Sequence, residues 1–231
     1  MVDLVSNPAV LKAYAPFCAL GDAELAILFP AVQHRTYARH ARIVRVRDGA
    51  AGVHVVISGS AELLMHDADG RELTLEILGP GDFFSELELS AGGPDMALVA
   101  RERCESYFVS ARDFRTAMRD NFAVTQLLCD NVSARLRRAH STLAALAFLD
   151  VRARVARTLM ECATPVRRVW TVREGSEQIS RRVAASREMV SRVLRQLRED
   201  GLISREKRRT FILDRERLAD VPRGRGARRG S

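Results

Sequence analysis

Eight residues in the middle of the chain recur in a 3-4-3-4-3-4-3 rhythm: Phe122, Thr125, Cys129, Val132, Leu136, Ala139, Leu143 and Leu146. Positions so spaced line up on an α-helix. A stripe only two positions wide per heptad is a coiled-coil seam, narrower than the face a helix buries on its own domain. The rhythm predicts a helix over residues 111–147 that pairs with a second copy through Phe122, Cys129, Val132, Leu136, Leu143 and Leu146. The rival reading is a helix packed on its own β-domain. Thr125 and Cys129 weaken the N-terminal half of the stripe, and Cys129 reads as a small packed residue rather than a reactive thiol.

The period differs on either side of this helix. Residues 8–30 read as short helices with Leu20, Leu25 and Leu28 on one apolar face. From Thr36 to Ser110, short apolar runs are punctuated by Gly49, Gly52, Gly59, Gly70, Gly79 and Gly81. Strand-like segments at 53–57, 61–65 and 73–77, with Asp69-Gly70 as a hairpin signal, predict a β-sandwich, barrel or roll. After the helix, Asp150 suits the cap of a further helix over 151–162, stopped by Pro165. Two helices over 176–184 and 187–199 flank the turn at Ala184-Ala-Ser186. Ser186 is a good N-cap, and Glu188 in the first turn suits the helix dipole. A hairpin over 202–213 with a basic tip follows. Two helices across a short turn plus a hairpin is a winged helix-turn-helix.

Charge divides the chain in the same way. Residues 151–231 hold 22 basic and 10 acidic side chains, a net +12, whereas 1–150 hold 15 and 19, a net −4. A basic back behind an acidic front points to a polyanion as partner of the C-terminal part. Arg223, Arg225, Arg228 and Arg229 lie between glycines in 222–231, which reads as a disordered basic tail. The N-terminus has no basic region followed by an apolar stretch, so no secretory signal is expected. No apolar run approaches the ~18 residues of a membrane helix. Cys18, Cys104, Cys129 and Cys162 form no C-x-x-C pair, which argues against a zinc knuckle, an iron–sulfur site or a disulfide scaffold and for a reducing cytoplasm.

Three segments then carry a resemblance. Gly79-Pro-Gly-Asp-Phe-Phe-Ser-Glu-Leu87, Leu146-Ala-Phe-Leu-Asp-Val151 and Ala185-Ser-Arg-Glu-Met-Val-Ser-Arg-Val-Leu194 occur in this order. The chain resembles the CRP/FNR family of bacterial transcription regulators over nearly its whole length. The resemblance implies an α+β fold: an N-terminal β-roll (a double-stranded β-helix or jelly roll), a long dimerisation helix, and a C-terminal winged helix-turn-helix. The expected segments are 1–112 for effector sensing, 113–149 for dimerisation and hinge, 150–221 for DNA binding, and 222–231 as tail. It also implies double-stranded DNA, a second copy and RNA polymerase as partners.

Within the second helix of the motif, Arg187 and Arg192 can each fork onto guanine O6 and N7, and Glu188 can accept from cytosine N4. These are the expected base-reading residues. Val190, Val193, Leu194 and Leu197 point into the core. Ser180, Arg181, Ser186, Ser191, Lys207, Arg208 and Arg209 are expected on the DNA backbone; Arg182 shares the basic face.

The effector end departs from the family's cyclic AMP pattern. The usual G-E pair is Ser85-Glu86. The usual R-S pair falls near Pro94-Asp95, and residues 92–98 contain no arginine. A cyclic phosphate would lose its charged partner and face Asp95, a loss of about 1.5–3 kcal/mol before repulsion. The adenine-reaching Thr-Ser pair becomes Ala139-His140, while Arg135 keeps a family ligand-facing position. The expected pocket residues are Ser85, Glu86, Asp95, Arg135 and His140. The departures disfavour cyclic AMP and leave a cyclic dinucleotide, another cyclic nucleotide or no effector open. Arg101, Arg103, Arg137 and Arg138 join Arg135 as arginines that suit a cyclic dinucleotide by type. Cys18 alone cannot hold an oxygen-sensing cluster, and His54 and His66 read as structural rather than as haem ligands. A cupin-like metal enzyme would need an H-x-H set. His34, His40, His54, His66 and His140 show no metal spacing, so neither a metal nor catalysis is expected.

Overall fold

The alternation of apolar residues through the glycine-punctuated stretch makes two antiparallel sheets. The structure, a computed structural model, describes residues 2–4, 8–14, 20–28, 32–45, 52–85, 95–167, 169–206 and 209–223. The chain divides into two compact units, 1–138 and 139–231.

In the first unit the strands are β1 (Val2–Leu4), β2 (Gln33–Tyr37), β3 (Arg42–Arg45), β4 (Gly52–Ser58), β5 (Ala61–His66), β6 (Glu72–Leu78), β7 (Phe83–Ser85), β8 (Asp95–Ala100) and β9 (Cys104–Ser110). One sheet runs β1-β2-β9-β4-β7 and the other β3-β8-β5-β6. Between them pack Val56, Phe84 and Cys104 from the first sheet and Val44, Ala61, Leu63, Leu78, Leu98 and Ala100 from the second. The outer face of the first sheet carries Val53, Val55, Phe83, Tyr107 and Val109. These pack on Leu11, Leu20, Leu25 of the short helix α1 (Asp22–Leu28) and Val32, and on helical Phe114, Ala117, Val124 and Leu127. Strand β4 is therefore covered on both faces, which explains its near-continuous apolar run. Gly59 needs its freedom: its φ is +73°, and an added Cβ would strike the Arg103 carbonyl.

His54 sits on β4 among Phe108 at 4.7 Å and Tyr37 at 6.4 Å between ring centroids, with Nδ1 3.5 Å from Ser106 Oγ. Burial pushes its pKa down to about 3, and Arg35 nearby adds to the shift. The unfolded chain takes up this proton near 6.5 and the folded chain does not. Stability is therefore full above that pH and falls as the pH drops towards 3. Between pH 7 and pH 5 this group alone removes roughly 2 kcal/mol. Urea unfolding at the two pH values should show that much less loss in His54→Phe; equal losses in both proteins would refute the assignment.

The helix expected over 111–147 is two helices. α2 (Ala111–Asp120) is capped by Ser110, which accepts from Asp113 N, and α3 spans Phe122–Phe148. Between them Asn121 is extended (φ −144°), and its Oδ1 accepts from Ala123 N at 2.8 Å. Asparagine competes for backbone donors at such a position, which ends one helix and caps the next. The Thr125 hydroxyl donates to Met118 O at 2.8 Å, so Thr125 is tied to α2 and leaves the expected stripe. The stripe otherwise faces out: Phe122 is 79%, Leu136 54% and Leu143 62% exposed, Cys129 and Val132 are exposed, and Leu146 is half-buried. Val124 and Leu127 bury the opposite face against the unit's own core.

The second unit holds the end of α3 and then α4 (Val151–Cys162), β10 (Thr164–Val166), β11 (Val169–Val172), α5 (Ser176–Val183), α6 (Arg187–Glu199), β12 (Ile203–Glu206), β13 (Arg209–Ile212) and α7 (Arg215–Asp220). Asp150 caps α4 by accepting from Ala153 N at 2.7 Å. Arg157 on α4 reaches back to Ser141, 2.7 Å from its hydroxyl. The sheet order β10-β11-β13-β12 adds a hairpin, β10–β11, that the sequence pattern did not suggest. Pro165, expected only to stop a helix, also sits in edge strand β10, where its missing N–H leaves no gap in an inner ladder. Among the described residues no helix is long and apolar enough to cross a membrane, and no group of three or more His, Cys, Asp or Glu could hold a metal ion.

Candidate nucleic-acid interface

Two short caps set the geometry of the helix pair. Gln178 Oε1 accepts from the Gly175 N–H at 3.0 Å at the head of α5, and Ser186 Oγ accepts from Met189 N at 3.2 Å at the head of α6. Between the helices Ala184 adopts φ +49°, and its N–H reaches Ser180 O. A side chain in this left-handed region costs roughly 1 kcal/mol relative to glycine. Ala184→Gly should therefore raise the unfolding midpoint by a few degrees. A lower midpoint would mean that the turn is held by something other than its backbone conformation.

Val190, Val193, Leu194 and Leu197 are buried in the core of this unit, with Val155, Leu159, Ile179, Val183, Leu202, Ile203 and Ile212. The apolar spacing on α6 thus fixes its rotation and leaves Arg187, Glu188, Ser191 and Arg192 exposed. Two forked donors and one carboxylate then lie over the first turn and a half of a capped helix, whose N-terminus favours anions. Met189 is also exposed on this helix.

The flanking residues separate. Ser186 and Arg209 are exposed and Arg181 is half-buried. Ser180 is a correction to that exposed set: it is buried, and its hydroxyl donates to Glu177 O at 2.7 Å. A serine inside a short helix satisfies its hydroxyl on its own backbone when its face packs inwards. Arg182 is held within the unit by Cys162 Sγ at 2.8 Å and Glu161 at 3.4 Å. Arg205 ties β12 to α5 through Ser176 Oγ at 3.3 Å. Lys207 and Arg208 lie outside the described residues, as does 224–231 of the tail.

Of the expected effector residues, Ser85 is buried on β7, and Asp95 opens β8 opposite His66. Arg135 on α3 lies over the Phe84 ring, 5.0 Å from its centroid, and its Nε donates to Glu76 Oε2 at 3.0 Å. Arg138 reaches the other oxygen of Glu76. His140 is exposed and belongs to the second unit. The carboxylate partner of Arg135, Glu76, was missed, because no local spacing links residues 59 apart. Glu86 and Pro94 lie outside the described residues.

Two family models match, a cyclic nucleotide-binding domain over residues 34–121 and a Crp-like helix-turn-helix domain over 153–221. The cAMP-activated global transcriptional regulator Vfr of Pseudomonas aeruginosa is 34% identical over 179 residues, covering 73% of this chain and 84% of that protein. The structure of CLP, a c-di-GMP responsive global regulator of Xanthomonas campestris, aligns with a TM-score of 0.73 at 27% identity, over 84% of this chain and 99% of that one. A Eubacterium rectale structure described as of the crp/fnr family shares the fold at a TM-score of 0.78 and 20% identity, over 91% and 99%. With a nucleotide-binding type of β-unit and a capped, arginine-bearing helix-turn-helix matched in this order, the chain belongs to the CRP/FNR family of DNA-binding transcription regulators.

Proposed function

We propose that two copies pair through Phe122, Cys129, Val132, Leu136, Leu143 and Leu146 of α3 and read an inverted repeat with Arg187, Glu188 and Arg192. The observation that carries this is the exposed face of α6, held by the Ser186 cap and the buried Val190–Leu197 face behind it. Arg181, Ser186, Ser191, Lys207, Arg208 and Arg209 hold the phosphates, a sequence-blind role. Residues 1–112 sense, 113–149 pair, 150–221 read DNA and 222–231 add non-specific affinity. The protein acts in the cytoplasm with RNA polymerase and catalyses no reaction.

The β-roll takes a small anionic effector other than cyclic AMP, and a cyclic dinucleotide is the candidate. The absence of arginine from 92–98 and the presence of Asp95 speak against cyclic AMP, and the Xanthomonas relative is c-di-GMP responsive.

Selection of bound duplexes from a random library tests the DNA reading. The expected product is an inverted repeat with guanines in each half-site and half-sites about one helical turn apart. Recovery of a single unrepeated half-site would refute the paired reading. Calorimetry with cyclic AMP should show no binding at micromolar concentrations, and clear micromolar binding would refute the effector reading.

A further inference from the structure

Glu76 is an unusual residue to find on the inner face of a sheet. It stands opposite Leu63, a member of the core between the two sheets. Just before it the register of β5 and β6 shifts: Leu63 faces Glu76 but Leu64 faces Thr74, so β6 spends one extra residue, Leu75. Such a bulge re-aims a side chain. The carboxylate is clamped from α3 by Arg135 on one oxygen and Arg138 on the other. Glu76 and Arg135 are only 11% and 15% exposed at their side chains. Arg135 and Arg138 are three residues apart on the helix, and so share a face.

Two guanidinium groups converging on one half-buried point, with one of them laid over an aromatic ring, form a receptor for a phosphate diester. The fork geometry matches two anionic oxygens, and the ring holds Arg135 in place. Here an internal carboxylate fills that receptor. We propose that Arg135 and Arg138 are the anion-binding end of the effector site and that Glu76 is a built-in counter-ion gating it. This rests on the reading that the β-roll holds an effector. An anionic effector enters only by displacing Glu76, so affinity is set by a competition inside the protein. The clamp also joins β6 to α3, whose outward face carries Val132 and Leu136. Displacement of Glu76 thereby releases the tie between the roll and the pairing helix.

The competition gives an inverted signature, in which removal of a charge at the site improves binding. Glu76→Gln keeps the size of the side chain and removes the competing charge. Full-length wild type and Glu76→Gln are titrated by calorimetry with cyclic di-GMP, cyclic AMP and inorganic phosphate. Glu76→Gln should bind at least one of these anions about tenfold or more tightly than wild type, and a further Arg138→Ala change should cancel the gain. Glu76→Asp, which keeps the charge but shortens its reach, should gain less; it serves as the readout if Glu76→Gln does not fold. A gain for inorganic phosphate alone upholds the gate while removing the nucleotide effector. Equal binding of a nucleotide by wild type and variants keeps the effector and overturns the gate. No gain for any of the three anions also overturns it.

Discussion

Leu136→Asp should convert the protein to monomers and remove most of its specific DNA binding. Leu136 is 54% exposed in the single chain, so the substitution disturbs no core within a protomer, and circular dichroism and the unfolding midpoint should stay near wild type. Burying one leucine contributes about 1.5–3 kcal/mol, and a two-fold seam counts it twice. Loss of roughly 3–6 kcal/mol raises the dimer dissociation constant about 10²- to 10⁴-fold. Two carboxylates facing each other in the seam add a desolvation and repulsion cost. Light scattering at micromolar concentration reads the result directly. A stable dimer of the folded variant would mean that the exposed stripe on α3 is not the pairing surface. Leu143→Asp should behave alike for the same reason, whereas Val124→Asp should unfold the chain, because Val124 is fully buried on the opposite face.

That contrast also marks where the sequence was readable. The outward stripe and the helix-turn-helix are local patterns, so spacing along one helix was enough to find Leu136 and the buried Val190, Val193, Leu194 and Leu197. The glycine rhythm announced the β-part, though not its two-sheet order, which depends on pairings such as β4 with β9 that no short window contains. Asn121 was the missed local signal: a capping residue inside a long apolar rhythm, overridden by the periodicity around it. Hairpin β10–β11 was missed because three- and four-residue strands leave no period to read. Glu76 was out of reach for a different reason. Its partners come from α3, and an alternating strand with a charged residue reads as a solvated edge until the bulge at Leu75 turns that residue inwards.

Specificity offers the other large effect. In the single chain Arg187 and Glu188 are exposed, so their substitution should change DNA reading with little change in folding. A bidentate arginine–guanine contact carries about 1–3 kcal/mol of discrimination per base pair. A dimer uses it in both half-sites, so Arg187→Ala should weaken the selected inverted repeat by roughly 10²-fold or more at fixed salt. Non-specific affinity should barely move, because phosphate contacts supply it and Arg187 is assigned to a base. The slope of affinity against salt should accordingly stay near wild type. Glu188→Ala removes an acceptor for a cytosine amino group and also a negative charge near the phosphates. It should lose less affinity than Arg187→Ala and tolerate a changed base at one position of each half-site. The deciding measurement is selection of wild type and both variants on one randomised half-site library. If all three choose the same bases with equal preference, α6 does not read the groove through these residues. If Arg187→Ala instead lowers affinity for every sequence alike and flattens the salt dependence by about one phosphate contact, Arg187 grips the backbone and the base-reading face lies elsewhere on the helix.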